Sequence, residues 1–97
     1  MDAQISKLIK EEEKRQKDLI NLIPSDNYVS QEVLKALGSV FNNKYSEGYP
    51  GKRYYCGNEV VDKVEILCQN RALKLFNLSP EKWQVNVQDG SVAFGSA

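Results

Sequence analysis

Asn43-Lys44-Tyr45-Ser46-Glu47-Gly48-Tyr49-Pro50-Gly51-Lys52-Arg53-Tyr54-Tyr55 is the stretch around which this chain is organised. It holds four of the five tyrosines, one carboxylate, three cations and two glycines, with Pro50-Gly51 placing a turn at its middle. Neither helical nor strand periodicity is expected to run through it. Flexible linkers are rich in Ser, Gly and Gln, whereas tyrosines supply rigid surfaces with a polar tip, so the stretch reads as an ordered loop. Loops of this kind carry function, here contact with a ring or with another chain. The same rings could instead wedge a loop against a core, and composition alone leaves both readings open.

Working outward, Asn58 is a good N-cap for a helix running to about Phe76, with Glu59 and Asp62 at the positive end of its dipole. Val61, Val64, Cys68, Ala72 and Leu75 form an apolar stripe along it, and Cys68 is expected on the buried side as a small hydrophobe. Asn77-Leu78-Ser79-Pro80 breaks that helix. Trp83-Gln84-Val85-Asn86-Val87-Gln88 alternates as a strand does, and since one strand cannot stand alone, the chain is expected to end as a sheet begins. On the other side, Ser30 can cap a short helix with Val33, Leu34 and Leu37 on one side and Gly38 as its stop. Pro24-Ser25-Asp26-Asn27 is turn chemistry that closes a first helix over residues 2 to about 21. Ile5, Leu8, Ile9, Leu19 and Ile20 recur there at helical spacing, with Glu11–Arg15 and Glu13–Lys17 as supporting pairs. Glu11 through Asp18 is polar all round, which marks an arm rather than a core helix. Packing on a partner subunit and partial solvation fit that arm equally well.

The totals set bounds. A chain of 97 residues supports one small domain with a single modest core. Its formal net charge is zero and it has no basic tract, so nucleic acid is not an expected partner. No apolar run approaches about 18 residues, and Met1-Asp2 leads into a charged helix, so no membrane span, no membrane partner and no signal peptide are expected, and the protein is placed in the cytoplasm. Cys56 and Cys68 lie far apart and there is no histidine, so no metal site is expected and the cysteines read as reduced thiols.

Asn43 through Tyr55 resembles the signature of serine hydroxymethyltransferases, pyridoxal-phosphate enzymes that move a one-carbon unit between serine and tetrahydrofolate. Leu22-Ile23-Pro24-Ser25-Asp26-Asn27 is similar to that family's Leu-Ile-Ala-Ser-Glu-Asn. Cys68-Gln69-Asn70-Arg71-Ala72-Leu73 is similar to its Cys-Gln-Lys-Arg-Ala-Leu, and the family usually has glycine where Cys56 stands. The resemblance covers roughly nine tenths of the chain. It implies a segment that is itself mostly α, forming the N-terminal part of an α/β pyridoxal-phosphate-dependent transferase of the aminotransferase-like fold type I. Residues 1–23 would be the arm helix, 24–57 a short helix with the active-site tyrosine loop, and 58–97 the first helix and strand of the large domain, with an atypical tail from residue 89.

Site residues carry over position by position. Ser25 falls at the serine that contacts the substrate carboxylate, with a helix-flanking turn as its plain alternative. Tyr45 matches the tyrosine that reaches across a dimer to the partner's cofactor phosphate. Glu47 matches the carboxylate beside substrate and folate, and a carboxylate enclosed by aromatic rings suits proton transfer near neutral pH. A surface glutamate paired to Lys44 or Arg53 is its alternative. Tyr54 matches the position stacked on the folate's aminobenzoate ring, and Tyr55 the tyrosine whose hydroxyl orients the substrate beside the Schiff base. Lys52 and Arg53 read as phosphate, folate-tail or inter-subunit contacts, or as solvated charges.

No lysine here matches the Schiff-base lysine, and the tail Asp89 to Ala97 departs from the family's phosphate-binding Pro-x-Ser-Gly-Ser-x-Ala-Asn. Gly90-Ser91 can be a remnant of it, but phosphate binding is withheld from this tail. The chain is therefore expected to be inactive alone, with truncation, an altered splice and a change of reading frame all open as the origin of its tail, and its arm is expected to support a homo-oligomer. The rival reading is a noncatalytic fragment that pairs with full-length subunits.

Overall fold

The computed structural model of the chain describes residues 1–88, so the readings of the tail from Asp89 lie outside the described residues. Two compact units, Met1–Lys35 and Ala36–Ala97, divide the chain, and each is built by its own rules. Helices account for about half of the described residues, and the regular sheet consists of one small antiparallel pair.

In the first unit, α1 spans Ala3–Asp18 and is capped by Asp2, whose carboxylate accepts from the Gln4 N–H at 3.1 Å. It stops three residues short of the expected end: Leu19 is already extended, at φ −111° and ψ 146°. Asn21 explains the stop. Its side-chain oxygen accepts from the Ile23 N–H at 2.9 Å and its amide donates to Asp26 at 2.7 Å, a local alternative to helical bonding. The supporting pairs also differ from those expected. Arg15 forks onto Glu12 rather than Glu11, with both contacts at 2.7 Å, and the lysine pairs are Lys7–Glu11 and Lys14–Asp18. A planar guanidinium matches two carboxylate oxygens one turn back, which a single reach to Glu11 would not. No residue of α1 is buried.

Helix α2 spans Gln31–Leu37, and Ser30 caps it as expected: its hydroxyl accepts from the Val33 N–H at 3.3 Å. A short 3-10 turn, Val40–Asn43, follows. The tyrosine stretch then departs from expectation by forming a hairpin of β1, Gly48–Tyr49, and β2, Lys52–Arg53, paired Gly48↔Arg53 and Tyr49↔Lys52. The turn expected at Pro50-Gly51 is present and is what makes this pairing possible, with Gly51 at φ +74° where such a turn needs a left-handed residue.

Helix α3 spans Glu59–Leu75 and ends on Asn77, whose φ of 53° lets the Leu78 N–H reach Leu73 O at 2.9 Å and the Asn77 N–H reach Lys74 O at 3.1 Å. That is a Schellman closure, with asparagine in the place glycine usually holds. The apolar stripe is not buried as expected: Val64, Cys68 and Leu75 are exposed, and the half-buried line runs Val61, Glu65, Gln69, Ala72. Glu65 is drawn inward by Arg53, which rotates the covered face by about one position. Among the described residues no apolar side chain is buried, so the single core expected from chain length is not formed by them. Nor is Trp83–Gln88 a strand. The Trp83 N–H turns back to Ser79 O at 3.0 Å, and among the described residues no neighbouring strand pairs with the segment. Phe41, Val61, Val64, Cys68 and Val87 line an open groove that solvent enters.

Candidate active site

The hairpin decides where the candidate residues stand. Successive strand residues point to opposite faces, so Arg53 on one face puts Lys52 and Tyr54 on the other, and its partner Gly48 likewise puts Glu47 and Tyr49 on that other face. The pairing extends one step beyond the strands, with the Tyr54 N–H donating to Glu47 O at 3.1 Å. Glu47 and Tyr54 therefore stand opposite each other on the outward face. Tyr45 and Tyr55 follow diagonally, their ring centroids 5.8 Å apart and tilted by 49°. Four of the five candidates are thus gathered by one turn of chain. Ser25 belongs to the first unit, in the exposed turn after Ile23, where the Asp26 N–H donates to Ile23 O at 3.2 Å.

The inward face holds the residue that sequence reasoning placed wrongly. Arg53 is neither a solvated charge nor an outward ligand contact: 5% of its side chain is exposed. Its Nε donates to Asp62 at 2.8 Å, one terminal nitrogen donates to Glu65 at 2.6 Å, and the other donates to Ser46 O at 2.7 Å and Gly48 O at 2.9 Å. Asp62 also accepts the Gly51 N–H at 3.0 Å. The fork clamps both strands of the hairpin to α3, and the hydrogen bonds from Arg53 and then from Gly51 hold the Asp62 carboxyl below its ordinary value. Gln88, also unforeseen, donates to Gly48 O and to Glu65, each at 2.8 Å. A signal was present in the sequence: Asp62 and Glu65 are three apart on one helix face, the spacing at which two carboxylates can take one guanidinium.

Close packing at the clamp explains Gly48. Its φ is +97°, and a Cβ there would run into the Lys52 carbonyl oxygen. The outward face, by contrast, is open. Tyr45 is 73% exposed, Tyr49, Tyr54 and Tyr55 are at least half exposed, and Glu47 is exposed and unpaired with Lys44 or Arg53. The enclosure by rings expected for Glu47 is not supplied by the described residues. What the arrangement offers is an exposed carboxylate opposite a phenol, Glu47 and Tyr54, and a tyrosine pair, Tyr45 and Tyr55, on a hairpin held to α3 by a polar clamp.

The family model described as serine hydroxymethyltransferase matches residues 1–96. The chain belongs to the serine hydroxymethyltransferase family. Its match runs through the tail, beyond the motifs quoted above. Similar relatives are the cytosolic serine hydroxymethyltransferase of Saccharomyces cerevisiae, 58% identical over 90% of this chain and 19% of its own length, and a putative mitochondrial one of Neurospora crassa, 63% identical over 84% and 15%. The Caenorhabditis elegans serine hydroxymethyltransferase is 54% identical over 91% and 17%. The chain spans under a fifth of the length of these relatives. The family is one of transferases, and no helix of the described residues is long and apolar enough to cross a membrane.

Proposed function

We propose that this chain supplies the N-terminal wall of a hydroxymethyltransferase site that interconverts serine and glycine with tetrahydrofolate as one-carbon carrier, inside an α/β fold of the aminotransferase-like fold type I. The observation that carries the reading is the hairpin register, which sets Glu47 against Tyr54 on an open face with the Tyr45–Tyr55 pair beside them. The division into an arm (1–23), an active-site loop (24–57) and the start of a large domain (58–97) belongs to the same proposal. So does assembly into a homo-oligomer, in which Tyr45 and Glu47 would serve a site shared with a second subunit.

Pyridoxal phosphate, when bound, supplies an electron sink for bonds breaking at the amino-acid α-carbon. The donor set here fits one edge of that group: the exposed Tyr45 phenol can donate to a phosphate oxygen. The Lys44 ammonium donates to Tyr45 O at 3.1 Å, and the anchoring lysine would come from other chain segments. Within the wall, Glu47 moves a proton at the substrate's hydroxymethyl group, Tyr55 orients the substrate with its hydroxyl, and Tyr54 stacks on the folate ring. Ser25 donates to the substrate carboxylate. The cytoplasm is the proposed compartment, although relatives of similar identity carry cytosolic and mitochondrial names alike.

Because the wall is one side of a site, the isolated chain is expected to be inactive. Mixed with pyridoxal phosphate and glycine and then dialysed, it should retain no visible cofactor absorption. A stoichiometric absorption that survives dialysis would overturn the partial-site reading.

A further inference from the structure

We infer that Asn58 is a positioning residue for the tyrosine pair, holding the two arms of the loop at the spacing the proposed site uses; the functional consequence rests on that reading of Tyr45 and Tyr55. Asn58 is the buried residue among those described, 4% exposed, although it stands at the N-cap of α3, where a polar side chain ordinarily turns to the first helical amides. It does not cap: its side chain takes no hydrogen bond from the helix. Its amide nitrogen instead donates twice, to Tyr55 O at 2.9 Å and to Tyr45 O at 3.3 Å.

Those carbonyls belong to residues ten apart whose rings lie 5.8 Å from one another. The backbone pairing of the hairpin ends at Glu47 and Tyr54, so the ladder does not itself span from Tyr45 to Tyr55. One planar amide closes that gap, and it needs two hydrogens on one nitrogen, which serine, threonine and aspartate lack. The other end of the same amide shows which side sets its orientation. Among the described residues Oδ1 is buried with no partner, so the donor side fixes the group. Asn58 thus gives up the capping role its position offers and ties the two tyrosine backbones together.

The test is nuclear magnetic resonance on the 97-residue chain and its Asn58→Asp variant, which keeps the side chain's size and favours helix capping but has no hydrogen to donate. In the parent chain, ring-to-ring Overhauser contacts between Tyr45 and Tyr55 are expected, together with Asn58 side-chain amide hydrogens that exchange more slowly than those of exposed Asn70. In the variant the ring contacts should vanish while amide protection through α3 is kept. Ring contacts that persist in the variant, or that are missing from the parent, overturn the inference. Joint loss of ring contacts and α3 protection also overturns it, since Asn58 would then act through the helix. None of these signals requires substrate or cofactor, so their failure is distinguishable from failure of the transferase reading.

Discussion

A guanidinium withdrawn from water must find its partners in the protein, and Arg53 finds two carboxylates and two carbonyls. Arg53→Lys keeps the charge but not the fork, so it should release the hairpin from α3 and expose the Gly51 and Tyr54 amides to exchange. Unchanged protection of both amides would contradict the clamp. The clamp also sets a pH dependence. The Asp62 carboxyl is held below its ordinary 3.8 on folding, so the folded chain binds fewer protons there than the unfolded one. Its contribution is complete above the unfolded value and is lost as pH falls through the folded one. Gly51 amide protection should therefore hold above about pH 4 and decline below it, and Asp62→Asn should remove that decline. The Glu12 carboxyl, lowered to about 2 by hydrogen bonds from Arg15 and then Gln16, shifts in the same direction on the exposed arm, where α1 helicity reports it separately.

At the scale of elements, the hairpin makes a graded prediction. Gly51 and Gly48 both have positive φ, but a Cβ meets nothing within 4 Å at Gly51 and meets the Lys52 backbone at Gly48. Gly51→Ala should cost about 1–2 kcal/mol of hairpin stability for its left-handed backbone, and Gly48→Ala measurably more, read from Tyr54 amide exchange. Equal costs would remove the close approach from the account. The same elements show what sequence could tell. The Ser30 cap and the extent of α3 followed from local chemistry, because capping and helical periodicity are written in neighbouring residues. The hairpin did not: Pro50-Gly51 announces the turn, but strands of two residues are too short to show alternation, and nothing local marks Arg53 as an inward clamp. Asn58 was placed at the right position and given the wrong role: the carbonyls it holds are three and thirteen residues away. Partners at that range are set by the turn between them. The outward candidates Tyr45, Glu47, Tyr54 and Tyr55 came from the resemblance, while the clamp behind them had to be seen in three dimensions.

On the scale of the whole molecule, the described residues bury no apolar side chain, and Ile20, Leu22 and Val40 are among the large hydrophobic residues left exposed. Without a buried core, the isolated chain should bind an apolar dye and melt over a broad range, with exchange protection concentrated in the hairpin and α3, Gly51, Tyr54, the Asn58 side chain and Asp62 among the protected groups. A sharp, dye-free transition would contradict this. The most direct measurement grafts residues of this chain onto the Saccharomyces cerevisiae cytosolic relative in place of the 87 aligned ones, and follows hydroxymethyl transfer from serine to tetrahydrofolate with and without Glu47→Gln. The account predicts an active, cofactor-loaded chimera whose kcat falls by roughly 100-fold or more in the variant while cofactor absorption is retained. A cofactor-loaded chimera that is inactive, or one whose rate is unchanged by Glu47→Gln, would contradict it.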